Sequence, residues 1–125
     1  MTLRMGQRLQ ELGFKSNSDF TYILSKKGWN INYKRTKRQL AQQEFVGNEI
    51  VPLPTTEEIA DKLPAFFSFW KLFIGRDGKN IWHVSYRQTK GRLNHNPNIM
   101  HTESNRSLKV ACCLMWIYLK EHKYI

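Results

Sequence analysis

The chain has 125 residues, 41% of them hydrophobic and 13% aromatic. That is about one domain on the usual scale of ~100–200 residues, and it carries too much Phe, Tyr and Trp for a disordered chain. Lys and Arg number 20 against 10 Asp and Glu, a net charge of +10. The excess is spread over the whole sequence, with nine cations against four acids before residue 51 and eleven against six after it. No apolar run approaches the ~20 residues that span a bilayer. Arg4, Gln7, Arg8 and Gln10 interrupt any N-terminal signal-like segment. A folded domain this basic is expected to meet a polyanion, usually nucleic acid, and no membrane.

Residues 2–13 read as a first helix, with Leu3, Leu9 and Leu12 near helical spacing and Gly13 as a stop. Phe20, Tyr22 and Leu24 alternate with Thr21 and Ser25, and Trp29, Ile31 and Tyr33 with Asn30, Asn32 and Lys34. With Ser25-Lys26-Lys27-Gly28 between them, these runs predict a hairpin. Residues 34–45 fit either an extension of that strand or a short basic helix. Pro52 and Pro54 are expected to break regular structure. Thr55-Thr56-Glu57-Glu58 then has a capping-box pattern, with Ile59, Ala60 and Leu63 on an apolar side and Pro64 ending the helix.

Residues 66–87 predict a second hairpin around Asp77-Gly78. A two-residue turn would set Phe73 opposite Trp82 and Phe69 opposite Tyr86. A three-residue turn with Gly78 in a bulge would set Leu72 near Trp82 and Trp70 near Val84. In either register the first strand is apolar on both faces, so it is central or its second face meets something other than water. Residues 88–103 are polar and irregular and read as a long loop. The last helix is expected from Ser104 to His122, with Leu108, Ala111, Cys112, Met115 and Leu119 in one stripe widened by Val110, Leu114, Ile117 and Tyr118. The fold class is therefore α+β: a single domain over 1–125, an antiparallel sheet of two hairpins packed with about three helices, the C-terminal helix being the main core helix.

Cys112 and Cys113 are adjacent, which excludes an ordinary disulfide between them and points to two buried, reduced thiols and a cytoplasmic location in a bacterial host. No phosphate-binding loop, dinucleotide glycine motif or nucleophile elbow is present, and nothing in the chain asks for a cofactor or metal. Glu57, Glu58 and Asp61 sit at a helix start, where the dipole favours carboxylates. His83 beside Arg87, with His95 or His101 folding over, has the residue types of a metal-independent ribonuclease. The basic groups carry more information. Lys34, Arg35, Lys37 and Arg38 place four cations in five residues, and Arg87, Lys90 and Arg92 form a second group. Both groups leave strands that carry aromatics, Trp29 and Tyr33 in one case and Trp82 and Tyr86 in the other. Cations on phosphates with aromatic faces under bases suit single-stranded nucleic acid.

Three segments, Val51-Pro52-Leu53-Pro54-Thr55 through Pro64, Trp82-His83-Val84-Ser85-Tyr86, and Glu103-Ser104 through Lys120 with its Met115-Trp116 pair, carry a resemblance. Over about residues 50–125 the chain is similar to small uncharacterised proteins encoded in phages and prophages. The resemblance brings no catalytic residues with it, and the Lys34–Arg38 run departs from that group. The phage origin it implies, together with the small size and strong charge, points to a counter-defence protein, in its sharpest form an anti-CRISPR that engages a CRISPR effector with its guide RNA. The sequence as a whole is read as a non-enzymatic basic binding protein that engages RNA or an RNA–protein complex and blocks guide or target RNA loading. A small ribonuclease and a phage structural or assembly protein are the alternatives.

Overall fold

A computed structural model describes residues 2–16, 21–25, 28–32, 49–88 and 98–125. The class is α+β with antiparallel strands throughout, as the order of elements predicts. The chain divides into two compact units, Met1–Thr55 and Thr56–Ile125. Each expected hairpin belongs to its own sheet, one in each unit.

In the first unit, α1 (Leu3–Glu11) starts at Thr2, whose hydroxyl accepts the Met5 N–H at 3.3 Å. It ends where Gly13 adopts φ +89°, and the Gly13 and Phe14 N–H groups return to the carbonyls of Gln10 and Leu9. Only glycine adopts that angle without a Cβ penalty, so the predicted stop has a backbone cause. Strands β1 (Thr21–Ser25) and β2 (Gly28–Asn32) pair with Ser25 opposite Gly28, as the hairpin reading requires. A third strand, β3 (Glu49–Pro52), joins the free side of β1, with Val51 opposite Tyr22. Pro52 thus closes an edge strand rather than excluding one, in keeping with its lack of an N–H. Leu9, Phe14, Val51 and Leu53 are buried, and α1 packs on β3.

In the second unit, α2 (Thr56–Lys62) begins directly after Thr55, and Pro64 follows its end. Four strands follow in the order β4-β5-β6-β7: β4 (Phe66–Phe67), β5 (Trp70–Arg76), β6 (Trp82–Gln88) and β7 (Ile99–Asn105). Helix α3 (Leu108–Glu121) covers one face of this sheet and also packs against α2. Its Ala111, Cys112, Met115 and Leu119 are fully buried, so the C-terminal helix is the core helix expected. Cys113 and Trp116 are buried as well.

Three expectations are corrected here. Residues 99–105 are a strand, not loop, and α3 starts four residues later than expected, behind Ser107, whose hydroxyl accepts the Val110 N–H at 3.3 Å. Neither predicted register of the central hairpin forms: Leu72 pairs with Tyr86, Phe73 with Ser85 and Arg76 with Trp82. Asp77 lengthens the connection. Its carboxylate accepts the N–H groups of Lys79 (2.8 Å) and Ile81 (3.1 Å), and its own N–H returns to the Ile81 carbonyl at 3.0 Å. This closed loop holds Asp77 to Ile81 out of the ladder, a solution that the Asp-Gly pair alone does not specify.

Residues 33–48, with the Lys34–Arg38 cluster, and residues 89–97, with Lys90, Arg92 and His95, lie outside the described residues. Among the described residues no helix is long and apolar enough to cross a membrane.

Candidate nucleic-acid interface

The register sorts the second sheet into two unlike faces, because directly opposed residues in an antiparallel pair point the same way. Leu72, Val84, Tyr86 and His101 share the face under α3. Val84 and Tyr86 have no exposed surface, and the Tyr86 hydroxyl donates to the Pro64 carbonyl at 2.7 Å. His101 stacks flat on Tyr118 at 3.6 Å and bonds Glu103 at 2.7 Å.

The outer face carries Phe66, Lys71, Arg87 and Ile99 in one row across the four strands, then Phe73 opposite Ser85, then Gly75 opposite His83. Phe66 is 61% exposed, Phe73 39% and Ile99 51%. β5 is central, between β4 and β6, as one of the two readings of the sequence has it, yet its outer face is left open to solvent. Cations lie over these rings. The Lys71 ammonium is 5.5 Å from the Phe66 centroid and 5.7 Å from that of Phe73, and the Arg87 guanidinium is 5.1 Å from Phe73. All three distances lie inside the ~6 Å range of cation–π attraction. The two Lys71 distances keep the ring centres of Phe66 and Phe73 within 11.2 Å of each other. Arg87 is further held by its Nε–H, which donates to the Ser85 hydroxyl at 3.1 Å. Ser85 is only 1% exposed although it faces outward.

Beyond Phe73 the face opens into a shallow groove of about 280 Å³. Phe73, Gly75, Asp77, His83, Ser85 and Arg87 line it. His83 is fixed at both nitrogens, by Asp77 Oδ2 at 2.8 Å and Ser104 Oγ at 2.7 Å. In the neutral ring, Nε2–H donates to the carboxylate and Nδ1 accepts the serine hydroxyl. The hydrogen bond from His83, then those from Ile81 and Lys79, hold the Asp77 carboxyl below its ordinary range.

Of the seven basic residues singled out in the sequence, Arg87 is the one among the described residues, and it stands on this face. His83 shares the groove with Arg87, whereas His101 is on the opposite side of the sheet, so these two histidines do not form one site. Sequence reasoning missed Phe66, Lys71, Phe73 and Gly75. An apolar strand between two others reads as core on both sides, and only the register shows which side is bare. Trp82 and Tyr86, by contrast, lie on the helix side, Tyr86 in the core. Both thiols are buried and free, and burial raises Cys112 to about 11 and Cys113 to about 12. No group of three or more His, Cys, Asp or Glu side chains among the described residues is placed to hold a metal ion. In comparison with known proteins, the chain matches no family model, no curated protein and no solved structure.

Proposed function

We propose that the chain is a small basic binding protein that engages single-stranded RNA, free or carried by an RNA–protein complex, on the outer face of the second sheet. The observation that carries this reading is the pair of exposed rings on one face, Phe66 and Phe73, with Lys71 over both and Arg87 over Phe73. Aromatic faces accept unstacked bases of any sequence, and cations beside them take the phosphates. A duplex would present its bases edge-on and use none of the ring surface. Lys34, Arg35, Lys37, Arg38, Lys90 and Arg92 add cations that sequence separation alone does not tie to this face. With the phage resemblance of residues 50–125, the finer reading is a counter-defence inhibitor that blocks guide or target RNA loading in a host RNA-guided nuclease.

The test is anisotropy of a fluorescent single-stranded RNA titrated with wild type, Phe66→Ala/Phe73→Ala and Lys71→Glu/Arg87→Glu. All four side chains are exposed or line the outer face, so the fold is retained. Loss of a stacked base should weaken binding by ~1–3 kcal/mol per base. Loss of the two cations should flatten the log–log salt dependence by about 0.7 per phosphate released. RNA recovered intact from the complex separates binding from cleavage, the reading that His83 and Arg87 in one groove would otherwise favour. Full affinity in both variants rules out this face as the interface.

A further inference from the structure

Resting on that reading, we propose that the groove over Gly75 is the subsite for one unstacked nucleobase of the bound strand, inserted between the Phe73 ring and the His83 imidazole. Phe73 pairs with Ser85, so His83 is its diagonal neighbour across the strands. Such diagonal positions are ~7–8 Å apart, which is about twice the 3.5–4.0 Å contact distance between carbon atoms. That spacing leaves room for one planar ring between the two side chains, both of which line the groove. Gly75, directly opposite His83, is the position whose side chain would otherwise occupy it. A Cβ built there meets nothing within 4 Å, so the floor of the groove is open because this residue has no side chain.

The walls are not equivalent. Lys71 and Arg87 approach Phe73 from the row on one side, and the Gly75 groove lies on the other, so ring and cations act on different parts of one nucleotide. The His83 ring is fixed at both nitrogens by Asp77 and Ser104 and needs no ordering when a base enters. Asp77 and Ser104 are therefore positioning residues. The groove, about 280 Å³, falls just short of the ~300–1,000 Å³ that encloses a drug-sized ligand, which fits one base with its sugar and phosphate outside on Arg87.

The experiment uses the full chain and two probes, fluorescein-labelled hexauridylate and hexaadenylate, with Gly75→Val, His83→Ala and His83→Phe. Phe66→Ala and Arg87→Glu report on the rest of the face. Gly75→Val fills the slot at a site with room for it, in a strand that favours β-branched residues. It should keep the wild-type melting curve and bind at least about fivefold and up to about 150-fold more weakly, as expected for one lost stacking contact. His83→Ala should weaken binding similarly, and His83→Phe, which restores a ring wall, should recover it. A hexanucleotide carrying 2-aminopurine should be quenched on wild type, which decides the question if Gly75→Val does not fold. If Phe66→Ala and Arg87→Glu weaken binding while Gly75→Val does not and 2-aminopurine stays bright, the strand lies across the face without inserting a base, and the subsite is refuted alone. If neither Phe66→Ala nor Arg87→Glu changes affinity, or wild type binds neither probe, the RNA reading fails and the subsite fails with it.

Discussion

Tyr86→Phe isolates a polar contact that ties β6 to the segment just after α2. Tyr86 has no exposed surface, packs edge-on against Phe67 at 4.8 Å and donates its hydroxyl to the Pro64 carbonyl at 2.7 Å. Phenylalanine keeps the ring, its volume and the Phe67 contact, so no cavity opens. What is lost is one hydrogen bond, and the Pro64 carbonyl is left without that donor, a combined cost of about 1–2 kcal/mol. For a unit of this size each kcal/mol lowers Tm by roughly 4–8 °C. Tyr86→Ala, which also empties the ring site, should cost about 3–5 kcal/mol. Burial raises the Tyr86 hydroxyl above its ordinary 10.0. The folded state therefore holds a proton that the unfolded chain releases, and stability is present below pH 10 and lost as pH rises beyond it. Tyr86→Phe should remove that part of the alkaline loss. Thermal and urea melts at pH 7 and pH 10.5 measure both effects. RNA affinity of the folded variant should be unchanged, because Tyr86 faces α3 and not the outer face. A variant that melts within about 0.5 kcal/mol of wild type at pH 7 refutes the claim that this bond helps hold β6 to the segment just after α2.

Ser107→Ala should cost about 1 kcal/mol by removing the cap on Val110 of α3, and Ser107→Asp should restore it, both read from urea midpoints. The thiols should react slowly with a disulfide reagent in the native protein, and faster in urea. Because burial raises Cys112 from 9.0 to about 11 and Cys113 to about 12, their contribution to stability is present below pH 9 and falls as pH climbs toward those values. Cys112→Ala/Cys113→Ala should flatten a melting series over that range. At the other end of the scale, the Asp77 carboxyl is held below its ordinary 3.8, so its contribution is present above that pH and is lost as pH falls below it. A carboxyl titration followed by NMR should place Asp77 below 3.8 in wild type and return it toward 3.8 in His83→Ala.

Local chemistry made the helices legible before any tertiary contact was considered. Gly13 ends α1 because it alone adopts φ +89° freely, Thr55 and Pro64 bracket α2, and Ala111, Cys112, Met115 and Leu119 recur on one face of α3 because burial selects them at helical spacing. The two hairpins are readable for the same reason, since turn chemistry and alternation act over a few residues. Register is a different quantity. It is set by which residues of two distant strands fill one core, and at Asp77 by a carboxylate that closes a five-residue connection through its own backbone contacts. Strand β7 shows the limit most plainly: Ile-Met-His-Thr-Glu-Ser-Asn has no apolar alternation to read, and it is a strand because β6 supplies its hydrogen bonds. The face of the sheet that α3 leaves bare follows from that pairing and from nothing in the local sequence. That is why Arg87 stands out in the sequence as a cation, while Phe66, Phe73 and Gly75 become visible as a surface only when the strands are laid side by side.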